Sequence, residues 1–265
     1  MENASNHIDT SQPNAGRIYD FLLGGNHNFE PDRQAAQMLL QVAPFMPQVL
    51  KQIRTFLGVA TKRLAADGFN YFIDFASGLP TNDNIHHFVG SGVNVIYSDI
   101  DPGTIDYGQE IIKNNPNVNY VKCDAGEPVG LLNSAVVENF LGNDRRAAIG
   151  FNGIAYFLTD EKLKHALQTI YDWAGKGSKL FLCDADADSA DTKEKLKPVF
   201  DLYAKIGQAI HIRTKEKLLE LADPWKIEDP GFQTLDKWID IGDNLADKEQ
   251  NEWGGKGFYG AIFYK

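Results

Sequence analysis

Cysteine is scarce: two stand among 265 residues, at Cys123 and Cys183, with no CxxC spacing. That excludes a disulfide framework and a cysteine-built zinc or redox centre, and both thiols read as reduced residues at or near strand ends. No run of about 18 apolar residues exists, so no segment reads as a bilayer-spanning helix. Residues Met1 to Gln12 lack a basic n-region and an apolar h-region, which excludes a signal peptide and predicts a cytoplasmic protein. Positive charge is also short, with Lys+Arg 26 against Asp+Glu 36 and a net charge of −10. The densest basic stretches, Lys193 to Lys197 and Arg213 to Lys217, carry Glu194 and Glu216 inside them, so the average field repels a nucleic-acid backbone. The histidines show neither HxH nor HxxxH spacing, and no metal is expected. A GxGxxG fingerprint is missing as well.

What is present is an ordinary globular composition, 43% hydrophobic and 23% charged, long enough for one large domain or two small ones. A polar, disordered tail is expected over residues 1–13. A helical block follows over 14–70, marked by Ile18, Phe21 and Leu22, then Ala36, Leu39 and Leu40. After an interruption at Phe45–Pro47, Val49, Ile53, Phe56, Leu57, Ala60 and Leu64 define an amphipathic helix. From residue 71 to 265 short apolar runs alternate with helical stretches. Strands are predicted at Tyr71–Phe75, Val93–Ser98, Tyr120–Lys122, Ala147–Phe151, Lys179–Cys183, Lys226–Glu228 and Phe258–Tyr264. Helices are predicted at Asp83–Gly90, Ile105–Lys113, Val129–Asn139, Asp160–Ala174 and Asp191–Ala222, the last split at Pro198 or Gly207. The alternation implies a mostly parallel sheet with helices on both faces. No helix is predicted between Lys226–Ile241 and Phe258–Lys265; Gly254, Gly255 and Gly257 suggest a loop joining two antiparallel strands.

In an open α/β sheet the ligand sits beyond the carboxyl ends of the strands, at the switch in strand order. The first strand ends in Asp74-Phe75-Ala76-Ser77-Gly78-Leu79-Pro80, where small residues admit close backbone approach. The second ends in Asp99-Ile100-Asp101-Pro102. Asp99 follows Asp74 at about the interval that brings an acidic side chain to ribose hydroxyls, while Asp101 suits a helix cap. The third ends in Cys123-Asp124-Ala125, an acceptor for an adenine amino group. The fourth ends in Phe151-Asn152-Gly153, an amide beside bare backbone. Four successive strands thus end in small or acidic elements facing one crevice.

These features resemble class I S-adenosylmethionine-dependent methyltransferases over Tyr71 to Lys265. The stretch Asn14-Ala15-Gly16-Arg17-Ile18-Tyr19-Asp20-Phe21-Leu22-Leu23-Gly24-Gly25, with Asn28-Phe29 and Asp32-Arg33, is similar to the signature of a bacterial S-adenosyl methyltransferase family. That family was formerly a domain of unknown function and is common in actinomycetes. Phe72 to Thr81 and Asn84-Ile85-His86 match its nucleotide loop, in which Leu-Pro-Thr replaces the usual glycines. Phe75-Ala76-Ser77 departs from the more frequent Ile-Gly-Thr, and Ala76 adds a methyl to the site floor. The resemblance implies a Rossmann-like, seven-stranded, mostly parallel sheet with an antiparallel C-terminal hairpin and an N-terminal helical cover. It implies S-adenosyl-L-methionine as cofactor. Ala76, Ser77 and Gly78 would border its methionine half and Asp74 would organise the loop. Asp99 and neighbouring Ile100 would lie at the ribose, Asp124 and Ala125 at the adenine, Asn152 and Gly153 near the transferred methyl. Tyr19 and the Gly24-Gly25 turn would close over the cofactor.

Methyl transfer from a sulfonium needs alignment and exclusion of water more than a nucleophilic side chain. His86, His87, Tyr19 and Tyr156 are positional candidates for a base, each better read as structural, so no catalytic residue is assigned. The run Asp184-Asp186-Asp188-Asp191 reads as a solvated, capping acidic loop rather than a cation site. The expected reaction is methyl transfer to an O or N atom of a small molecule, with Phe200, Tyr203 and Trp225 lining an apolar slot or the core. A nicotinamide-dependent oxidoreductase and a non-catalytic nucleotide-cofactor-binding protein are the alternatives. The sequence leaves room for a homodimer.

Overall fold

Asn14 opens helix α1 (Ala15–Leu22) by accepting from the Gly16 and Arg17 amides, the usual way to satisfy orphan donors. Helix α2 (Glu30–Val42) follows, and α3 (Met46–Ala66) starts with Pro47 in its first turn, where the missing N–H costs nothing. The computed structural model describes residues 10–81, 83–142, 144–242 and 257–265. The elements after α3 are β1 (Tyr71–Asp74), α4 (Ile85–Phe88), β2 (Asn94–Asp99), α5 (Pro102–Ile112), β3 (Val118–Lys122), α6 (Val129–Leu132), α7 (Ala135–Leu141) and β4 (Ala148–Asn152). A 3-10 turn (Ala155–Phe157) leads to α8 (Asp160–Trp173), β5 (Lys179–Ala185), α9 (Ala190–Lys205), α10 (Lys215–Ala222), β6 (Lys226–Ile227), β7 (Gln233–Thr234), α11 (Leu235–Gly242) and β8 (Phe258–Tyr264).

The sheet runs in the order β3-β2-β1-β4-β5-β8-β6, and β7 also pairs with β8. Strands β1 to β5 are mutually parallel, while β8 is antiparallel to β5, β6 and β7. This is the Rossmann-like class I arrangement expected from the sequence, with an eighth, two-residue strand added. The order reverses between β1 and β4, so their carboxyl ends define the switch point. Alternation along each strand divides the core. Phe72, Phe181 and Cys183 pack on the face covered by α1–α3, α9 and α11; Ile73, Leu180 and Leu182 pack on the face of α6–α8 and α10, as a two-residue period requires.

Three predicted elements are corrected, and the choice between a split at Pro198 and one at Gly207 falls to Gly207. Helix α11 lies between the last strands, where none was predicted: its Trp and Ile residues favour strands by propensity, and tertiary packing wins. Trp238 donates from Nε1 to the Gly260 carbonyl at 2.8 Å and meets Phe56 edge-on at 5.4 Å. A side chain at Gly260 would come within 2.6 Å of the Phe56 ring. Helix α9 passes through Pro198 and ends before Gly207, whose φ of +75° stops it. The Val129–Asn139 stretch is two helices because Ser134 caps the Val137 amide and starts a new one. The Asp83–Gly90 helix shrinks to Ile85–Phe88. Gly254 and Gly255 lie outside the described residues. No helix among the described residues is long and apolar enough to cross a membrane.

Candidate functional site

A cavity of about 1000 Å³ opens along the carboxyl edge of the sheet. Asp74, Ala76, Ser77 and Gly78 reach it from β1, Asp99 and Ile100 from β2, Asp124 from β3, and Asn152 and Gly153 from β4. Tyr19, Gly24 and Gly25 line it from the N-terminal cover. Of the predicted site residues only Ala125 is elsewhere: it is buried in the core under α6 and α8, because the chain turns inward after Asp124 accepts from the Gly126 amide at 2.8 Å.

The loop after β1 is held by β2. Ser77 donates from its backbone to the Ser98 carbonyl at 2.9 Å, and the Gly78 amide donates to Asp99 Oδ2 at 3.3 Å. Gly78 adopts φ +64°, and so does Ala76 at +51°, a left-handed conformation costing a non-glycine residue roughly 1–2 kcal/mol. The extra methyl thus sits at a position whose backbone favours glycine. Asp101 donates from its amide to Asp99 Oδ1 at 3.0 Å, while its own carboxylate caps α5 through the Thr104 amide.

Burial controls the electrostatics. It pushes the Asp74 carboxyl up to about 7, against the lowering influence of Arg54. It pushes Asp99 up to about 6, opposed by the amide bonds just described. Asp74 Oδ1 and Asn152 Oδ1 are both buried and without a hydrogen-bond partner among the described residues. The Asn152 amide nitrogen donates to the Ile53 carbonyl of α3 at 3.2 Å. Two lone acceptors, one on each side of the switch point, thus belong to residues that line the same cavity, and buried acceptors left unpaired are expensive unless a ligand satisfies them.

A family profile described as S-adenosyl methyltransferase matches residues 1–262. The chain belongs to that family. Its cofactor is S-adenosylmethionine. Among solved structures, a candidate methyltransferase from Thermobifida fusca YX matches with a TM-score of 0.88 at 25% identity, over 100% of this chain and 99% of that one. A DUF574 family protein from Streptomyces avermitilis also gives 0.88 at 25% identity, over 97% and 99%. The magnesium protoporphyrin IX methyltransferase of Synechocystis, solved with bound SAH, shares the fold at a TM-score of 0.54 and 12% identity, over 83% and 87%. No curated protein sequence matches.

The structure of this methyltransferase also places the remaining sequence candidates. Trp225 is not in the cavity; it packs edge-on against Tyr171 and donates to the Leu167 carbonyl. Phe200, Tyr203, Tyr156 and Tyr19 do line it, and His86 and His87 do not. His86 stacks on His87 at 3.9 Å and its Nδ1 is hydrogen-bonded with the Tyr97 hydroxyl at 2.8 Å; burial pulls its pKa down to about 4. The acidic run after β5 is less solvated than its composition suggests. Asp184 is fully buried 3.7 Å from Arg213, and Lys215 bridges Asp186 and Asp188 at 3.1 and 3.2 Å. Among the described residues no group of three or more His, Cys, Asp or Glu could hold a metal ion.

Among the cavity residues the sequence reading missed are Arg54 and His27. Arg54 sits with its guanidinium 5.7 Å from the centre of the Tyr19 ring and donates to Asn84 Oδ1 at 2.7 Å; in sequence it is only a polar position on an amphipathic helix. His27 faces Tyr107 edge-on at 5.0 Å, with Nδ1 buried and unpartnered among the described residues. The polar run Asn26-His27-Asn28 was its only signal. Asn28 turns inward to Asp20 Oδ2 and the Gly25 carbonyl, which fixes the turn that presents His27.

Proposed function

We propose that this family member transfers a methyl group from S-adenosylmethionine to an oxygen or nitrogen atom of a small molecule. The single observation that carries the cofactor arrangement is the pair of unpartnered buried acceptors, Asp74 Oδ1 and Asn152 Oδ1, flanking the switch point. They suit the cationic ammonium of the methionine half, and Arg54 suits its carboxylate. Asp99 accepts from the ribose diol, since the amides of Gly78, Ile100 and Asp101 that bond it do not exhaust the roughly four lone-pair sites of an ionised carboxylate. The adenine lies against Ile100, an apolar side chain 55% exposed at the cavity edge, with Asp124 accepting from its amino group. Gly24 and Gly25 let the cover approach closely, and Tyr19 closes the sulfonium side.

When bound, the cofactor would supply a sulfonium methyl for in-line displacement, the C–S electron pair going to sulfur as the acceptor's new bond forms, and the acceptor's proton would be lost to solvent on product release. The chain's own residues bind, align and exclude water, which suffices for an already activated electrophile. The cover and the net charge of −10 favour a small acceptor over a nucleic acid. Titration calorimetry should show binding of S-adenosylmethionine and S-adenosylhomocysteine and none of NAD; the reverse pattern overturns the reading. With a cell extract, labelled methyl should appear in the small-molecule fraction, and label confined to macromolecules would rule out a small acceptor.

The buried carboxyls give this binding a pH dependence. Below about pH 7 Asp74 is increasingly protonated in the free protein, and a protonated acid cannot receive the ammonium as a charged partner. Affinity for S-adenosylhomocysteine should rise with pH, by up to about tenfold per unit below the pKa, and level off above it. In Asp74→Asn the rise should be lost over pH 6–7. A flat wild-type profile between pH 5.5 and 7.5 contradicts the assignment.

A further inference from the structure

The strand-end carboxylates that line the cavity lie toward one end of it, and Asn152 of β4 stands at the boundary. Asp124, Asp99 and Asp74 end β3, β2 and β1, whereas the opposite end is built by β4, β5 and β8. Adjacent strands lie about 4.8 Å apart, so the five steps from β3 to β8 span roughly 24 Å. The volume, about 1000 Å³, is at the top of the roughly 300–1000 Å³ range that holds one drug-sized ligand. The site therefore has room for a second molecule beside the cofactor.

The chemistry changes along that length. Phe258 of β8, Tyr156 and Phe157 of the 3-10 turn, and Tyr203 of α9 form a continuous aromatic wall. Their successive ring centroids are 6.0, 4.9 and 5.7 Å apart. Met46 and Leu50 of α3 complete the lining, and none of these residues carries a charge. The wall is not merely core, because two hydroxyls interrupt it. Neither Tyr156 nor Tyr203 hydrogen-bonds through its hydroxyl to another described residue, and burial raises both pKa values, keeping both groups neutral. A phenol in an apolar wall normally finds a partner. These two have their hydroxyls open to the cavity.

We propose that the β4–β5–β8 end of the cavity is the acceptor chamber and that it takes a neutral, flat, ring-bearing molecule. Its hydroxyl or amine hydrogen-bonds Tyr156 and Tyr203 while the ring packs on the aromatic wall. An anionic acceptor is disfavoured, because the wall itself holds no lysine or arginine, His211 being the ionisable side chain that lines the cavity beside Tyr156, and burying an unpaired charge is costly. Gln208 accepts from the Ala15 amide at 2.8 Å, so the start of the cover is pinned at the loop that closes this chamber. The inference rests on the methyl-transfer reading of the same cavity.

The test uses the full chain saturated with S-adenosylhomocysteine, titrated with 2-naphthol, 2-naphthoate and 2-naphthyl phosphate. Saturable naphthol binding at least about tenfold tighter than either anion is expected. Tyr203→Phe, which keeps the ring, should weaken naphthol about fivefold, the value of one neutral hydrogen bond. Phe157→Ala should weaken it about tenfold. Both variants should bind S-adenosylhomocysteine as the native chain does. If S-adenosylhomocysteine itself fails to bind, the cofactor reading falls and this inference with it. If it binds but naphthol does not, or the anions bind as well, or neither variant changes naphthol affinity, the acceptor chamber alone is overturned.

Discussion

Asp99→Ala is expected to weaken S-adenosylhomocysteine binding by about 100-fold while leaving the unfolding midpoint unchanged or slightly raised. Hydrogen bonds to a charged acceptor contribute about 1.5–3 kcal/mol each, and loss of the diol pair, partly replaced by water, gives about 2.7 kcal/mol, or two powers of ten. The stability half follows from the sign of the shift. Burial raises the folded-state carboxyl to about 6 from an ordinary value near 3.8. Its contribution to stability is present at low pH and is lost as pH rises through 6, so at neutral pH the buried charge is a burden. Removing it offsets the loss of its bonds to the Gly78 and Asp101 amides, both of which are only partly buried. Asp99→Asn keeps one acceptor oxygen and should lie between, at about tenfold. Calorimetry and thermal melts on the same samples check both halves. An unchanged Kd in Asp99→Ala would remove the residue from the ribose site, and a large drop in melting temperature would make its role structural.

The strand-end groups were legible because each ends a short apolar run, and an open parallel sheet must present such ends on one edge. Asp74, Asp99, Asp124 and Asn152 need no knowledge of side-chain packing to be brought together. Ala125 failed by the same logic: beyond the strand end the chain can turn either way, and the Asp124–Gly126 contact turns it into the core. Arg54 was invisible because its meaning comes from Tyr19 and Asn84, distant in sequence and joined only when α3 docks on the sheet. Helix α11 was lost because eight residues offer too little periodicity to outweigh β-favouring Trp and Ile. Trp225 was left open between slot and core because an indole at a helix end suits a pocket wall and the α8–α10 seam equally well by composition, and the structure places it in the core. Arg17 was legible as part of a motif, but its reason for being there was not.

That reason leads to the variant with the largest expected effect on stability. Arg17 is 5% exposed and pairs with Asp32 and Asp101, each at 2.9 Å, joining α1 to α2 and to the cap of α5. Asp32 is wholly buried and also accepts from the Asn14 and Phe29 amides. Arg17→Met leaves that carboxylate buried without its counter-charge, a change worth about 3 kcal/mol when one partner of a buried pair is removed. For a chain of this size the melting temperature should fall by about 6–12 °C. The double variant Arg17→Met with Asp32→Asn should lose less than Arg17→Met alone, because the orphaned charge is gone. Arg17→Lys should not rescue, since one ammonium lacks the planar fork that reaches two carboxylates. Asp101 also touches Asp99 through its amide, so loosening the clamp should weaken S-adenosylhomocysteine binding as well, by several-fold rather than a hundredfold. If Arg17→Met melts within about 2 °C of the native chain, the pair contributes little and α1 is held by Ile18 and Leu22 packing alone. If it melts as expected but binds the cofactor product unchanged, the clamp holds the cover to the fold without setting the ribose carboxylate.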